Sequence, residues 1–210
     1  HTASNTASSS NGSVSKSSAS KKNTGIVSEF DVGQLVVSTR LNQFNPRLLS
    51  VIGPHGILAS VYDIEDQKTT WRAKNVPHDT LRLEVPISDM DSDWIDENQL
   101  AVCTAHSHVR VYDVREKRRP TLTFSLADEF AKSLGPSKFQ QLTKNDVTFS
   151  LRHIACNPSN RTEVAVAANT GDVFILYTTR RADQGHIRSR QKGVQGAVRA
   201  LLFHPTRPNA

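Results

Sequence analysis

The chain has 210 residues, 37% hydrophobic and 22% charged, with a formal net charge of +6. Its two cysteines, Cys103 and Cys156, lie far apart, which supports no disulfide framework and no cysteine-based metal motif; they read as buried thiols in a reducing compartment. No apolar run approaches the ~20 residues of a membrane-spanning helix. The start, His1-Thr2-Ala3, lacks an initiator Met and the pattern of a signal peptide, so the sequence reads as part of a longer chain. Residues 1–25 are Ser, Ala, Asn, Thr and Lys with few large apolar groups. Such a segment buries too little surface to offset its ordering entropy and is expected to be disordered.

From about Ile26 the texture changes to short β-type runs separated by turn residues. Val32–Ser38, Leu48–Ile52, Ile57–Ile64 and Thr69–Ala73 form one set. Leu100–Thr104, Val109–Val114 and Thr121–Leu126 form a second. Leu151–Cys156, Val164–Ala168, Val173–Thr178 and Ile187–Arg190 form a third, and Val198–Phe203 opens a fourth. Each is rich in Val, Ile, Leu or Thr, as half-buried strands are. Leu81, Leu83 and Val85 alternate and also read as a strand. Within Ala127–Leu142, Phe130, Leu134 and Phe139 predict a short helix broken at Gly135-Pro136.

The runs repeat. Val61-Tyr62-Asp63-Ile64 recurs as Val111-Tyr112-Asp113-Val114, 50 residues on. Tyr177 takes the corresponding place 65 residues later, a longer step that an inserted loop at 127–148 explains. Phe44-Asn45-Pro46, Cys156-Asn157-Pro158 and Phe203-His204-Pro205 each end a run with proline, which cannot donate to a sheet ladder. Gly171-Asp172 supplies a tight turn. A period near 45–50 with four strands per unit predicts an all-β, WD-type propeller. Three blades and one further strand are too few to close a ring, so residues 26–210 read as a partial propeller.

The segment Arg72-Ala73-Lys74-Asn75-Val76, followed by Asp79, Leu81, Leu83, Val85 and Pro86, resembles the nucleolar ribosome-assembly propellers known as WD repeat-containing protein 74 in animals and Nsa-one in yeasts. Glu84 stands where that pattern has Arg, and Ser88 where it has Trp. The resemblance extends through Ala101–Thr104, His108–Asp113, Arg118-Arg119-Pro120, Ala168–Asp172 and Lys192–Pro205, about residues 31–208 in all. It implies a seven-bladed ring and a role in assembling the precursor of the large (60S) ribosomal subunit, with rRNA processing, in the nucleus and nucleolus. The implied partners are the pre-60S particle, an AAA-type remodelling ATPase and an RNA exosome helicase.

Two groups of residues are candidates for contact. Arg72, Lys74, Asn75 and Asp79 occupy a loop leading out of a strand, where binding residues concentrate; Asp79 paired with Arg72 or Lys74 would instead brace the loop. The second group is basic. Of 26 Lys/Arg and 20 Asp/Glu, seven and one fall in residues 180–210, so the rest balances at 19 and 19. Lys117, Arg118 and Arg119 should lie at a loop, and Arg188, Arg190 and Lys192 alternate along an outer strand. Arginine suits phosphate, so rRNA or an acidic surface is the expected partner; a solvated charged face is the alternative. Aromatic interleaving for base stacking is missing. Tyr62, Asp63, Tyr112 and Asp113 read as structural, the acids accepting turn N–H bonds.

No P-loop, G-x-S-x-G or H-E-x-x-H motif occurs, and His106-Ser107-His108 lacks a third metal ligand. The expectation is a non-catalytic scaffold with no cofactor and no metal. The alternatives are an adaptor subunit of another nuclear complex, a ubiquitin ligase or a chromatin factor, and an enzyme built on a propeller.

Overall fold

A computed structural model describes residues 29, 31–78, 81–134, 149–181, 185–193 and 196–204. The chain divides into two compact units, His1–Phe30 and Asp31–Ala210. Only Glu29 of the first is described, so the Ser-rich segment lies outside the described residues, as does 135–148 of the insert.

The second unit holds three four-stranded antiparallel sheets, each built from consecutive strands. Sheet one is β1 (Ser38–Leu41), β2 (Leu48–Ile52), β3 (Ser60–Asp63) and β4 (Lys68–Arg72). Sheet two is β5 (Asp89–Trp94), β6 (Gln99–Thr104), β7 (His108–Asp113) and β8 (Leu122–Ser125). A helix, α1 (Leu126–Leu134), follows β8. Sheet three is β9 (Leu151–Cys156), β10 (Glu163–Ala168), β11 (Val173–Arg181) and β12 (Gly185–Gln191). These are the blades the repeats predict.

The sheets stack through two apolar seams. Ile52, Val61, Trp71, Trp94, Leu100 and Tyr112 fill the seam between sheets one and two. Trp71 and Tyr112 meet edge to face there, centroids 5.4 Å apart. Cys103, Val109, Leu151, Ile154, Val166 and Phe174 fill the seam between sheets two and three. β6, in the middle sheet with both faces covered, is almost wholly buried, and so is β10 of sheet three. Both thiols are free and buried, and burial raises each well above the usual thiol range.

Turns repeat along with the sheets. The link after each first strand folds around an Asx side chain. Asn42 Oδ1 accepts the N–H groups of Phe44 and Asn45. Asp96 does the same for Asn98 and Gln99, and Asn157 for Ser159 and Asn160. After each aromatic-Asp end, the acid holds the next turn. Asp63 Oδ1 accepts Glu65 and Asp66 N–H at 2.9 and 3.0 Å, and Asp113 Oδ1 accepts Arg115 N–H at 3.0 Å. Gly171 turns between β10 and β11 with φ of +85°, a conformation glycine adopts without a side-chain clash.

Four sequence expectations change. β5, with the sequence Asp-Met-Asp-Ser-Asp-Trp, is a strand that the residue pattern does not announce. β1 begins at Ser38, where the predicted run Val32–Ser38 ends. Leu81–Val85 forms no strand: Arg82 has a φ of +61°, Leu81 and Leu83 are 75% and 60% exposed, and a strand exists only with a pairing partner. Val198–Phe203 likewise carries no strand pairing. The helix is found as α1, with Ser125 Oγ accepting Asp128 N–H at its start. Its Phe130 packs edge-on against Phe149 and Phe174.

Candidate functional site

Strand alternation sets the face of the first candidate group. Trp71 and Ala73 point into the seam and are buried, so Arg72 and Lys74 point out and are exposed. The chain then leaves the sheet. Asn75 Nδ2 donates to the Val85 carbonyl at 2.8 Å, closing the loop, while its Oδ1 accepts Val76 N–H at 2.9 Å. Asn75 therefore braces the loop. Asp79 lies outside the described residues.

The loop between β7 and β8 carries Lys117, Arg118 and Arg119, all exposed. It lies against the first group. Lys74 N–H donates to the Arg118 carbonyl at 2.7 Å, and Arg118 Nε donates to the Arg72 carbonyl at 2.5 Å. Two basic tracts more than forty residues apart thus form one basic face, with Arg72, Lys74, Lys117 and Arg119 heads making no ion pair among the described residues.

Arg188 and Arg190 sit differently. On β12, Arg188 pairs with Glu163, and Arg190 NH2 donates to Asp172 Oδ2 at 2.7 Å. The Arg190 guanidinium also lies over the Phe130 ring, 4.8 Å from its centroid. Both charges are engaged within sheet three and its helix; Lys192 is exposed and makes no ion pair among the described residues.

Beside the basic face is a pocket of about 400 Å³, walled by Val76, Pro77 and Val85 from the loop and by Pro120 and Thr123 from the β7–β8 hairpin. His108 and Arg110 of β7 reach it from below, and Arg119 stands at it. Arg110 is 1% exposed. Its NH1 forms a buried ion pair with Asp89 Oδ1 at 3.8 Å; among the described residues its Nε and NH1 make no hydrogen bond, nor does His108 Nδ1. Burial, then the neighbouring Arg110, pushes the His108 imidazole below its ordinary value, keeping it neutral. Burial raises Asp89, opposed by the Ala59 N–H bond and Arg110. The Tyr112 phenol, next along β7, is pushed up to about 12, chiefly by burial.

A second cavity, about 380 Å³, opens between the first strands of the sheets. Arg40, Arg152, His153 and Arg199 surround Asp91 there. Sequence reasoning missed these residues and Arg110 alike. Val109-Arg110-Val111 reads as a strand with one wet face; in a stack of blades both faces are covered, so a polar residue on that strand must be buried. That rule is the signal that could have found it.

Chemically, the site can hold an anion. Among the described residues, no group of three His, Cys, Asp or Glu could hold a metal ion, and no helix is long and apolar enough to cross a membrane. Consecutive four-stranded antiparallel blades on a 50-residue aromatic-Asp repeat define a WD-repeat β-propeller protein. The chain is 29% identical over 185 residues to WD repeat-containing protein 74 of Bos taurus, covering 87% of this chain and 41% of that protein. The Homo sapiens and Mus musculus proteins of that name are each 28% identical over 183 residues. Over most of its length the chain is thus similar to the WD repeat-containing protein 74 proteins of three mammals. It spans about two fifths of the length of the curated relatives it matches. No family model matches it.

Proposed function

We propose that the protein serves as a non-catalytic scaffold in assembly of the large (60S) ribosomal subunit precursor and in rRNA processing, in the nucleolus. The supporting observation is the basic face in which Arg72 and Lys74 are bonded through the backbone to the Lys117–Arg119 loop. It is rigidly held, exposed and unneutralised, which is what phosphate contact requires. Its lack of aromatic side chains fits a backbone contact that positions the propeller and reads no bases. The remaining partners in this reading are an AAA-type ATPase that releases the scaffold and an RNA exosome helicase.

Affinity purification of the full-length protein tests it. Pre-rRNA and large-subunit assembly factors should co-purify. Contact through Lys117 and Arg119 makes binding to an rRNA fragment fall about 10-fold more steeply between 50 and 200 mM salt than it does after both are changed to Ser. Binding that ignores salt and both substitutions, or recovery of ubiquitin-ligase or chromatin subunits without pre-rRNA, overturns the reading.

A further inference from the structure

The cavity between the first strands gathers positive charge from separate blades. β1, β5 and β9 are each the terminal strand of their sheet, and the buried Asp91 of β5 ties them together. Its carboxylate accepts the Ser38 hydroxyl and Arg40 from β1, and meets Ile154 N–H and His153 Nδ1 from β9. Arg40 balances the Asp91 charge. Two further arginines line the same cavity of about 380 Å³, Arg152 of β9 and Arg199 of the segment after β12. Both are exposed, and neither makes an ion pair among the described residues.

The backbone is shaped around this cavity. In the β9–β10 ladder Ala167 stands opposite His153 and Ala168 opposite Leu151, so Arg152 is an extra residue in a β-bulge. In the β5–β6 ladder Asp89 stands opposite Thr104 and Asp91 opposite Cys103, which leaves Met90 extra in the same way. Both extra residues line the cavity. A bulge takes one residue out of the alternation and re-aims its side chain, at the loss of a ladder position. β1 pairs with β2 in unbroken register over Ser38–Leu41, so the bulge is not a property of every first strand.

The cavity's chemistry selects the ligand. A guanidinium is a planar fork that matches two phosphate oxygens. Two such groups around one small cavity suit phosphates carried close together, and Val37, Met90 and Ala200 add apolar wall for an organic part. The volume falls in the range of small-molecule sites, roughly 300–1,000 Å³. A nucleic-acid backbone strings its phosphates along a line, which suits the open face at Lys117 and Arg119 better than a concave site.

We propose that this cavity binds a small molecule carrying two or more phosphate groups, held by Arg152 and Arg199, with Asp91 fixing the strands around them. The inference does not rest on the rRNA reading: RNA would use Arg72, Lys74, Lys117 and Arg119, none of which lines this cavity.

Isothermal titration calorimetry on the full-length protein at about 150 mM salt tests it. The probes are ADP, inorganic pyrophosphate and inositol hexakisphosphate, with sulfate as the comparison. At least one phosphate probe should bind about 10-fold tighter than sulfate or better. Which probe is tightest tells whether the phosphates come with a nucleoside, alone or on a polyol. Arg152→Ser with Arg199→Ser should weaken that probe about 100-fold, about 10-fold for each arginine, with the melting temperature unchanged. Ala200→Glu sets a carboxylate in the wall from an exposed position and should weaken it about 10-fold; it decides the matter if the double variant fails to fold. Lys117→Ser with Arg119→Ser should leave the probe bound as before while rRNA binding falls. No probe bound better than sulfate, binding that survives the arginine and Ala200→Glu changes, or binding lost with the Lys117 and Arg119 changes overturns the proposal.

Discussion

The acids at the blade turns and the acids on β5 are the same residue type put to opposite uses. Asp63 and Asp113 end β3 and β7, and each holds a turn and an arginine. Asp63 Oδ2 meets Arg47 at 2.9 Å, and Asp113 Oδ2 meets Arg115 at 2.9 Å. Hydrogen bonding holds both carboxyls below the usual range: for Asp63 chiefly the Asp66 N–H, for Asp113 chiefly the Arg115 side chain. On β5, Asp89, Asp91 and Asp93 lie inside the stack and reach across to the neighbouring blades. Asp91 accepts the Ser38 hydroxyl at 2.5 Å, Arg40 at 3.5 Å and Ile154 N–H at 3.3 Å. Asp93 accepts Cys156 N–H at 2.7 Å. Burial raises Asp89 and Asp93. The turn acids stabilise one blade by being charged; the β5 acids tie three blades together while bearing the cost of burial.

Asp91→Ala separates the two roles most sharply. It removes bonds to β1 and β9 at once and leaves Arg40 unpaired. A loss of about 3 kcal/mol is expected, the low end for a broken buried pair because Arg40 is partly solvated. Urea unfolding measures it. Asp113→Ala should cost about 1 kcal/mol, the net value of turn hydrogen bonds after solvent screening. If Asp113→Ala proves the more damaging, the comparison fails.

The pH dependence should also divide. Because their folded pKa values are lowered, Asp63 and Asp113 contribute stability above about pH 4, lost as pH falls through those lowered values. Asp89 and Asp93 run the other way: raised, their contribution is present below about pH 4 and lost as pH rises through their folded values. Asp93→Asn keeps an oxygen for Cys156 N–H and sheds a disfavoured charge. Its melting temperature at pH 7 should equal or exceed that of the parent, and the two should converge in acid. A clear drop at pH 7 would show that the charge itself holds the blades. Smallest of all is Tyr112→Phe. The polar neighbour of the hydroxyl is the Arg110 guanidinium, itself paired with Asp89, so stability at pH 7 should fall by no more than about 1 kcal/mol. The parent, with this phenol raised to about 12, should lose stability as pH rises from about 10 through 12, and the variant should not lose that share.

This division also marks what the sequence makes legible. Tyr-Asp at fixed spacing marks a strand end and its turn, because the bonds are local, two or three residues away. Thus the blades, the turn at Gly171 and the short helix could be read from the residues. β5 could not. Asp91 and Asp93 are satisfied by Ser38, Arg40, Ile154 and Cys156, more than fifty residues distant, and Asp89 by Ala59, thirty away; without those partners the segment looks like a loop. Leu81, Leu83 and Val85 show the reverse error, since alternation alone supplies no neighbouring strand. The candidate site was half visible. Arg72, Lys74 and Lys117–Arg119 could be nominated singly, but their union rests on two bonds between separate blades. Arg190 could not be told from a phosphate ligand until its pairing with Asp172 and the phenylalanine rings was seen.

Phe130 and Phe149 touch, ring centroids 5.2 Å apart, although eighteen residues lie between them in sequence. The departure and return of the insert are thus clamped by one aromatic contact. Once the ends are fixed, doubling the length of such a connection adds only about 0.6 kcal/mol in closure entropy. If the contact holds both ends, changes of length between them should cost the blades little stability. The interval is a place to install an affinity tag or a crosslinker, with the blades on either side left in register.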